Sequence, residues 1–249
     1  MAKHGKTVLI TGAAKRIGHA IATAFAKNDW NVILHCNRSL TEAEELRCRL
    51  PGDGHSVIQG DFSTAETIIA FLDNLERSRL HFDCLVNSAS CYSRLPLEKT
   101  SLQEMTTIYN VNLFAPFQLM RFFAGRMKSG CIINLTDQRT SGVDPAAGIY
   151  ALAKKSLRDA TEAAALAWAP DIRVNAVAPG LVLSPPGVPP EKIEPLLKKV
   201  PMRVRSTEQE VAQACLFLAN AETITGQTIY VDGGMHLQGF PLETPPSQR

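Results

Sequence analysis

The sequence predicts an α/β fold: a single doubly wound parallel sheet of about seven strands with helices on both faces. Three observations predict it. Short apolar runs rich in branched residues alternate with helical segments along the whole chain. The first run meets a glycine turn that opens directly into a helix. No linker divides the 249 residues, a length that suits one domain with a sizeable core.

Thr7 to Ile10 reads as strand one, apolar after its first residue, as a strand covered on both faces does. Ile17, Ala20, Ile21, Ala24 and Phe25 then recur at helical spacing, predicting a helix from Ile17 to Trp30. Asn31 to His35, Ser56 to Gln59 and Cys84 to Asn87 read as strands two to four. Cys131 to Leu135, Arg173 to Val177 and Thr228 to Val231 read as strands five to seven. Such alternation implies right-handed crossovers. Tyr150 and Lys154 fall on a helix, and an alanine-rich helix runs from Leu157 to Ala169. Pro179 to Pro201 holds seven of the fifteen prolines, which excludes regular helix throughout. It reads as a substrate lid over about 180–201. The domain is expected to span 1–240. The polar, proline-rich tail 241–249 is either an ordered hook or a frayed end.

Composition narrows the function. A net charge of +2 with mixed signs offers no basic stripe for nucleic acid. No apolar run spans a bilayer, and no secretory apolar region follows Met1 to Lys6. The six cysteines contain no C-x-x-C pair and are expected as reduced thiols in the cytoplasm. The six histidines have no metal-ligand spacing, so no metal is expected.

Two constellations carry chemistry. The first is Thr11-Gly12-Ala13-Ala14-Lys15-Arg16-Ile17-Gly18. Strand, glycine turn and helix start together make a dinucleotide site. The glycines permit close backbone approach, and the helix N-terminus favours a pyrophosphate. At the end of strand two, His35-Cys36-Asn37-Arg38-Ser39 contains no carboxylate. An acidic residue there would bind a ribose 2′-hydroxyl; Arg38 and Ser39 instead suit a 2′-phosphate, which selects NADPH. The second constellation is Tyr150-x-x-x-Lys154 with Asp137 thirteen residues before the tyrosine. Four residues is about one helical turn, so Tyr150 and Lys154 share a face. A lysine beside a phenol favours the phenolate, so the tyrosine can hand over its proton near neutral pH. Asp137 is either a member of this coupled group or a carboxylate capping its loop.

Together these features resemble the short-chain dehydrogenase/reductase family over nearly the whole chain. Asn87-Ser88-Ala89-Ser90 looks like the family's N-N-A-G segment, and Asn112 like the asparagine that holds a proton-relay water. Asp61-Phe62 resembles the pair flanking the adenine. Pro179-Gly180, Thr225-Gly226-Gln227 and Val231-Asp232-Gly233-Gly234 match in order and spacing. Two departures place the resemblance more finely. Arg16 stands where the family's usual motif has its middle glycine, and Asp137 where serine is usual. Both together look like the pteridine reductase branch, including the short-chain dihydromonapterin reductases. The H-x-x-R-S segment from His35 to Ser39 resembles that branch too.

The resemblance implies NADPH held by Gly12, Lys15, Arg16, Ile17, Gly18, His35, Asn37, Arg38, Ser39, Asp61 and Phe62. Asn87, Ser88, Ala89, Tyr150, Lys154, Pro179 and Gly180 would complete that site. It implies catalysis by Asp137, Tyr150, Lys154 and Asn112, with Lys154 on the nicotinamide ribose. A pterin would meet Arg16, Ser90, Tyr92, Asp137, Tyr150 and Leu181, lying between the nicotinamide and the Tyr92 ring. The expected reaction is NADPH-dependent reduction of a dihydropterin to the tetrahydro form, such as tetrahydrobiopterin, with dihydrofolate a further candidate substrate. The alternatives are a generic carbonyl reductase, for example of 3-oxoacyl thioesters, and a non-catalytic NADP-sensing protein. Assembly as a homotetramer is what the family usually shows.

Overall fold

A computed structural model of the protein describes residues 5–93, 95, 97–144, 147–182 and 194–238. Seven strands form one sheet in the order β3-β2-β1-β4-β5-β6-β7. They are β1 Thr7–Ile10, β2 Asn31–Cys36, β3 Ser56–Gln59, β4 Cys84–Asn87, β5 Gly130–Leu135, β6 Ile172–Pro179 and β7 Thr228–Val231. Every neighbouring pair is parallel. The helices are α1 Arg16–Ala26, α2 Leu40–Arg49, α3 Ala65–Ser78, α4 Leu102–Tyr109, α5 Ala115–Arg126, α6 Gly148–Ala167, α7 Glu194–Leu197 and α8 Glu208–Asn220.

The apolar runs are uniform because both sheet faces are covered. Alternate side chains of a strand go to opposite faces. Val8 and Ile10 join a core with Phe25, Trp30, Leu46 and Val211. Leu9, between them, joins the opposite core with Phe71, Leu75, Leu119 and Phe123. Cys84 and Val86 against Leu85, and Cys131 and Ile133 against Ile132, divide in the same way. Cutting Leu9, which is fully buried, to alanine would cost about 2–5 kcal/mol.

Several boundaries depart from expectation: β2, β5, β6 and α1 each gain one residue at an end, and three differences are larger. The first helix ends at Ala26 rather than Trp30, because Asp29 turns left-handed at φ 62° and Asn28 Nδ2 donates back to Ala24 O at 2.9 Å. β6 continues to Pro179 because it keeps pairing with β7 through Ala178↔Tyr230 and Pro179↔Val231. Tyr150, Lys154 and most of the alanine-rich segment make one twenty-residue helix, α6. Residues 183–193 of the expected lid, and the tail 241–249, lie outside the described residues.

The strand order reverses between β1 and β4, and the crevice at such a point is where ligands bind in open α/β sheets. Thr11 Oγ1 ties the two strand ends together by accepting from Ser88 N and Ala89 N, each at 2.9 Å.

Candidate active site

The crevice begins at the glycine turn. Gly12 has φ 65°, and a Cβ there would lie 2.9 Å from Ala89 Cα. A Cβ on Gly18 would overlap the Gly12 carbonyl oxygen. The turn therefore requires glycine at both positions, and its backbone stays open at the N-terminus of α1. Arg16 also sits at positive φ, 55°, in the region that favours glycine. An arginine held there costs about 1–2 kcal/mol, and such strain collects at functional sites. Ile17 packs against the core behind it.

Arg38 is exposed and makes no hydrogen bond or ion pair with any described residue. Ser39 caps the start of α2 without using its side chain, leaving its hydroxyl at a helix N-terminus. Lys15 reaches the same region, paired with Glu42 at 2.6 Å. Asn37 donates to Asp61 Oδ1 at 2.9 Å, and Asp61 also receives Ser63. A free guanidinium, a free hydroxyl and no unpaired carboxylate fit a phosphate.

His35 and Phe62 stand elsewhere than the sequence suggested. Both are buried rather than facing the crevice. Their rings stack at 4.4 Å, with Phe71 edge-on to each. His35 Nδ1 accepts from Gly12 N at 3.1 Å, which leaves Nε2 to donate to Gly60 O at 3.2 Å. The imidazole thus braces the glycine turn against the turn after β3. Burial lowers its pKa from 6.5 to about 4, against smaller raising effects of Gly60 and Asp61.

The catalytic candidates converge where β5 ends and α6 begins. Asp137 follows β5 and starts a short 3-10 turn, Gln138–Ser141. Tyr150 and Lys154 project from the first turns of α6, 6% and 2% exposed. The Tyr150 hydroxyl donates to Asp137 Oδ2 at 3.1 Å. Lys154 Nζ donates to Leu135 O at 2.7 Å and sits 5.9 Å from the centre of the Tyr150 ring. The expectation of a phenolate favoured by lysine is therefore corrected. Burial, followed by the charge of Asp137, pushes the Tyr150 phenol well above its ordinary value, and the proton stays on. Burial lowers Lys154 to about 8, against the opposing pull of Asp137. Leu135 O is the one acceptor Lys154 Nζ has among the described residues, so two of its three donors remain for ribose hydroxyls.

Asn112 lies in a π-helical turn, Asn110–Phe114, between α4 and α5. Its amide nitrogen donates to Cys91 O and Ile108 O at 2.8 and 2.9 Å, and its oxygen receives Ser90 Oγ at 2.7 Å. Its side chain thus orients Ser90. The two carbonyl partners fix the amide, so the single Ser90 proton goes to Asn112. Ser90 would lower the Tyr150 phenol only by turning that proton away. Asn87 is buried, donating to Asn134 Oδ1 at 2.8 Å, so it supports the strand ends. Tyr92 is 46% exposed and meets the Tyr150 ring edge-on at 4.9 Å. Pro179 and Gly180 close β6 against Asp232, and Leu181 follows, half-buried.

Residues 12–236 match the family model described as Enoyl-(Acyl carrier protein) reductase. The chain belongs to the short-chain dehydrogenase/reductase family. It is 32% identical over 253 residues to Glucose 1-dehydrogenase 2 of Bacillus subtilis (strain 168), covering 96% of this chain and 98% of that protein. It is 32% identical over 279 residues to Pteridine reductase 1 of Leishmania tarentolae, covering 92% and 96%. Among solved structures it is similar to FolM alternative dihydrofolate reductase 1 from Brucella canis, complexed with NADP. That likeness has a TM-score of 0.88 and 31% identity, over 96% of this chain and 97% of that one.

In this short-chain dehydrogenase/reductase, two site residues fall outside the motifs read from sequence. Arg139 Nη1 reaches both Asp137 oxygens, at 3.1 and 3.2 Å. Its Nε donates to Asp144 Oδ2 at 2.7 Å, and its guanidinium lies 5.6 Å from the Tyr92 ring centre. The signal available was an arginine two positions from an aspartate at the mouth of a buried strand. Among the described residues, no group of three or more His, Cys, Asp or Glu could hold a metal ion.

Proposed function

We propose that the enzyme is an NADPH-dependent reductase of a dihydropterin. The observation that carries this reading is the Asp137 carboxylate on the Tyr150 hydroxyl, with Ser90 beside it. Asp137, when ionised, presents Oδ2 as an acceptor at the Tyr150 hydroxyl while Arg139 holds Oδ1, and Ser90 offers lone pairs once its proton is given to Asn112. This wall suits a substrate edge rich in N–H donors, as a pterin has with its amino group and ring nitrogens. A ketone offers only an acceptor oxygen, which an ionised Asp137 repels.

When bound, NADPH would supply the hydride that reduces the carbon of a ring C=N bond in the substrate. Tyr150 keeps its proton at working pH and is placed to deliver it to the neighbouring nitrogen, giving a tetrahydropterin. Lys154 would hold the nicotinamide ribose with its two spare donors. Arg38 and Ser39 would take the 2′-phosphate, and Arg16 the pyrophosphate and the pterin edge. The NADP-bound FolM structure supports the cofactor, and the Leishmania pteridine reductase supports the substrate class. Phe114 at the end of the π-helical turn, Phe117 on α5, and Leu152 and Leu166 on α6 are exposed, which supports assembly as a homotetramer.

The generic carbonyl reductase is the second reading, favoured by the similarity to a glucose dehydrogenase. The test is kcat/KM for dihydrobiopterin or dihydromonapterin beside an acetoacetyl thioester and glucose, in wild type and Asp137→Ser. Dihydropterin turnover should dominate in wild type and fall about 10–100-fold in the variant, because a buried donor left without its partner discriminates strongly. Wild type preferring the thioester or the sugar would overturn the pterin reading.

A further inference from the structure

Asp137 is aimed by a device of its own. It lies in a largely buried turn, its side chain 14% exposed, with Asp144 at 16% and Arg139 between them at 26%. Two carboxylates taken out of water need a partner, and Arg139 is a planar fork that serves both. Its backbone N–H also donates to Asp137 Oδ1 at 2.9 Å. Oδ1 therefore accepts twice from Arg139, while Oδ2 accepts from Arg139 Nη1 at 3.2 Å and from the Tyr150 hydroxyl at 3.1 Å. The same guanidinium covers one face of Tyr92.

We propose that Arg139 is a positioning residue: bridging Asp137 and Asp144, it fixes the Asp137 carboxylate with Oδ2 on the Tyr150 hydroxyl and seats the Tyr92 ring. It also offsets the charge of Asp137. Among the described residues, the groups facing the Tyr150 hydroxyl and ring are Ser90, Tyr92, Asp137, Arg139 and Lys154. Within this set Asp137 raises the phenol and Arg139 lowers it. The choice of substrate for the test rests on the dihydropterin reading; the role of Arg139 does not.

The experiment is a double-mutant cycle of Arg139→Gln with Asp137→Ser, read in kcat/KM for dihydrobiopterin. A parallel cycle is read in the Kd of fully oxidised biopterin for the NADP-loaded protein. Arg139→Gln should cost roughly tenfold or more in the wild-type background and little in Asp137→Ser, where no carboxylate remains to be aimed. Arg139→Lys should recover only a minor part, because an ammonium cannot span both carboxylates. NADPH affinity measured by fluorescence should stay within about twofold, which shows that the variants fold. If Arg139→Gln does not fold, Asp144→Asn in the same cycle takes its place and should cost less in the same direction. Equal costs in the two backgrounds, or full rescue by lysine, overturn the proposal. Wild type that reduces a ketone in preference to dihydropterins removes the substrate reading alone, and the coupling is then read on that ketone.

Discussion

Acidifying the protein from pH 7 to pH 4 should weaken it through His35 before most carboxylates are protonated. In the fold the imidazole accepts from Gly12 N and donates to Gly60 O inside an aromatic cage, so the neutral form is the one that fits. Its folded value of about 4 lies below the unfolded 6.5. The unfolded chain therefore binds the proton first, and stability falls with pH across that window. The contribution is whole above pH 6.5 and gone below about 4. At about 1.4 kcal/mol per tenfold, the gap amounts to about 3 kcal/mol. For a chain of this size that is a Tm shift of roughly 6–12 °C. The assay is calorimetry or urea denaturation at pH steps from 7 to 4, in wild type and His35→Gln. Glutamine can keep an acceptor and a donor but does not titrate. The variant should start less stable, having lost the ring stack, and should lose less on acidification. NADPH affinity of the folded wild type should hold down to about pH 4 and fall only there, because a protonated Nδ1 would face the Gly12 N–H as a second donor. Equal acid losses in the two proteins would refute the brace.

Three further outcomes follow from the same geometry. Tyr150→Phe removes only the hydroxyl, so kcat should drop about 10²–10⁴-fold while NADPH still binds by fluorescence; retention of most of kcat would move the proton to water. Arg38→Ala should weaken NADPH roughly 10–150-fold and leave NADH unchanged, since a charge-assisted contact is worth about 1.5–3 kcal/mol; wild type using both cofactors equally would dismiss the 2′-phosphate assignment. Lys154→Met should stop turnover yet raise the melting temperature at pH 7. Burial sets Lys154 at about 8 against 10.5 unfolded, so carrying its charge below pH 8 costs stability, and wild type alone should gain stability between pH 8 and 10.5.

The central strands were legible because burial on both faces leaves few polar positions, and the edge strand β3 because Val57 and Ile58 stand between polar ends. Ser56-Val57-Ile58-Gln59 and Cys84-Leu85-Val86-Asn87 begin and end where their composition does. Helix ends were less so: Lys27-Asn28-Asp29 closes α1 by a left-handed aspartate, a choice the apolar period does not record. At the site, spacing alone put Asp137, Tyr150 and Lys154 in one place. It gave the wrong sign for the phenol, because that sign depends first on burial and then on which charge comes nearest. The rule of one helical turn brings Lys154 alongside the ring, but its ammonium ends on Leu135 O, while Asp137 ends on the hydroxyl itself. A hydrogen-bonded anion at 3.1 Å outweighs a cation turned to a carbonyl, so the tyrosine is an acid that holds its proton. His35 was visible as a residue at a strand end, yet burial makes it a brace for the turn rather than a wall of the crevice. Arg139 was hidden because its partners are fixed by a 3-10 turn and by Asp144, five residues on, with no period to announce them. On the proposed dihydropterin reading, what would separate this site from a ketone reductase is a carboxylate whose aim depends on residues that no motif contains. Variation at Arg139 and Asp144 should then change substrate choice even where Tyr150, Lys154 and Asp137 are kept.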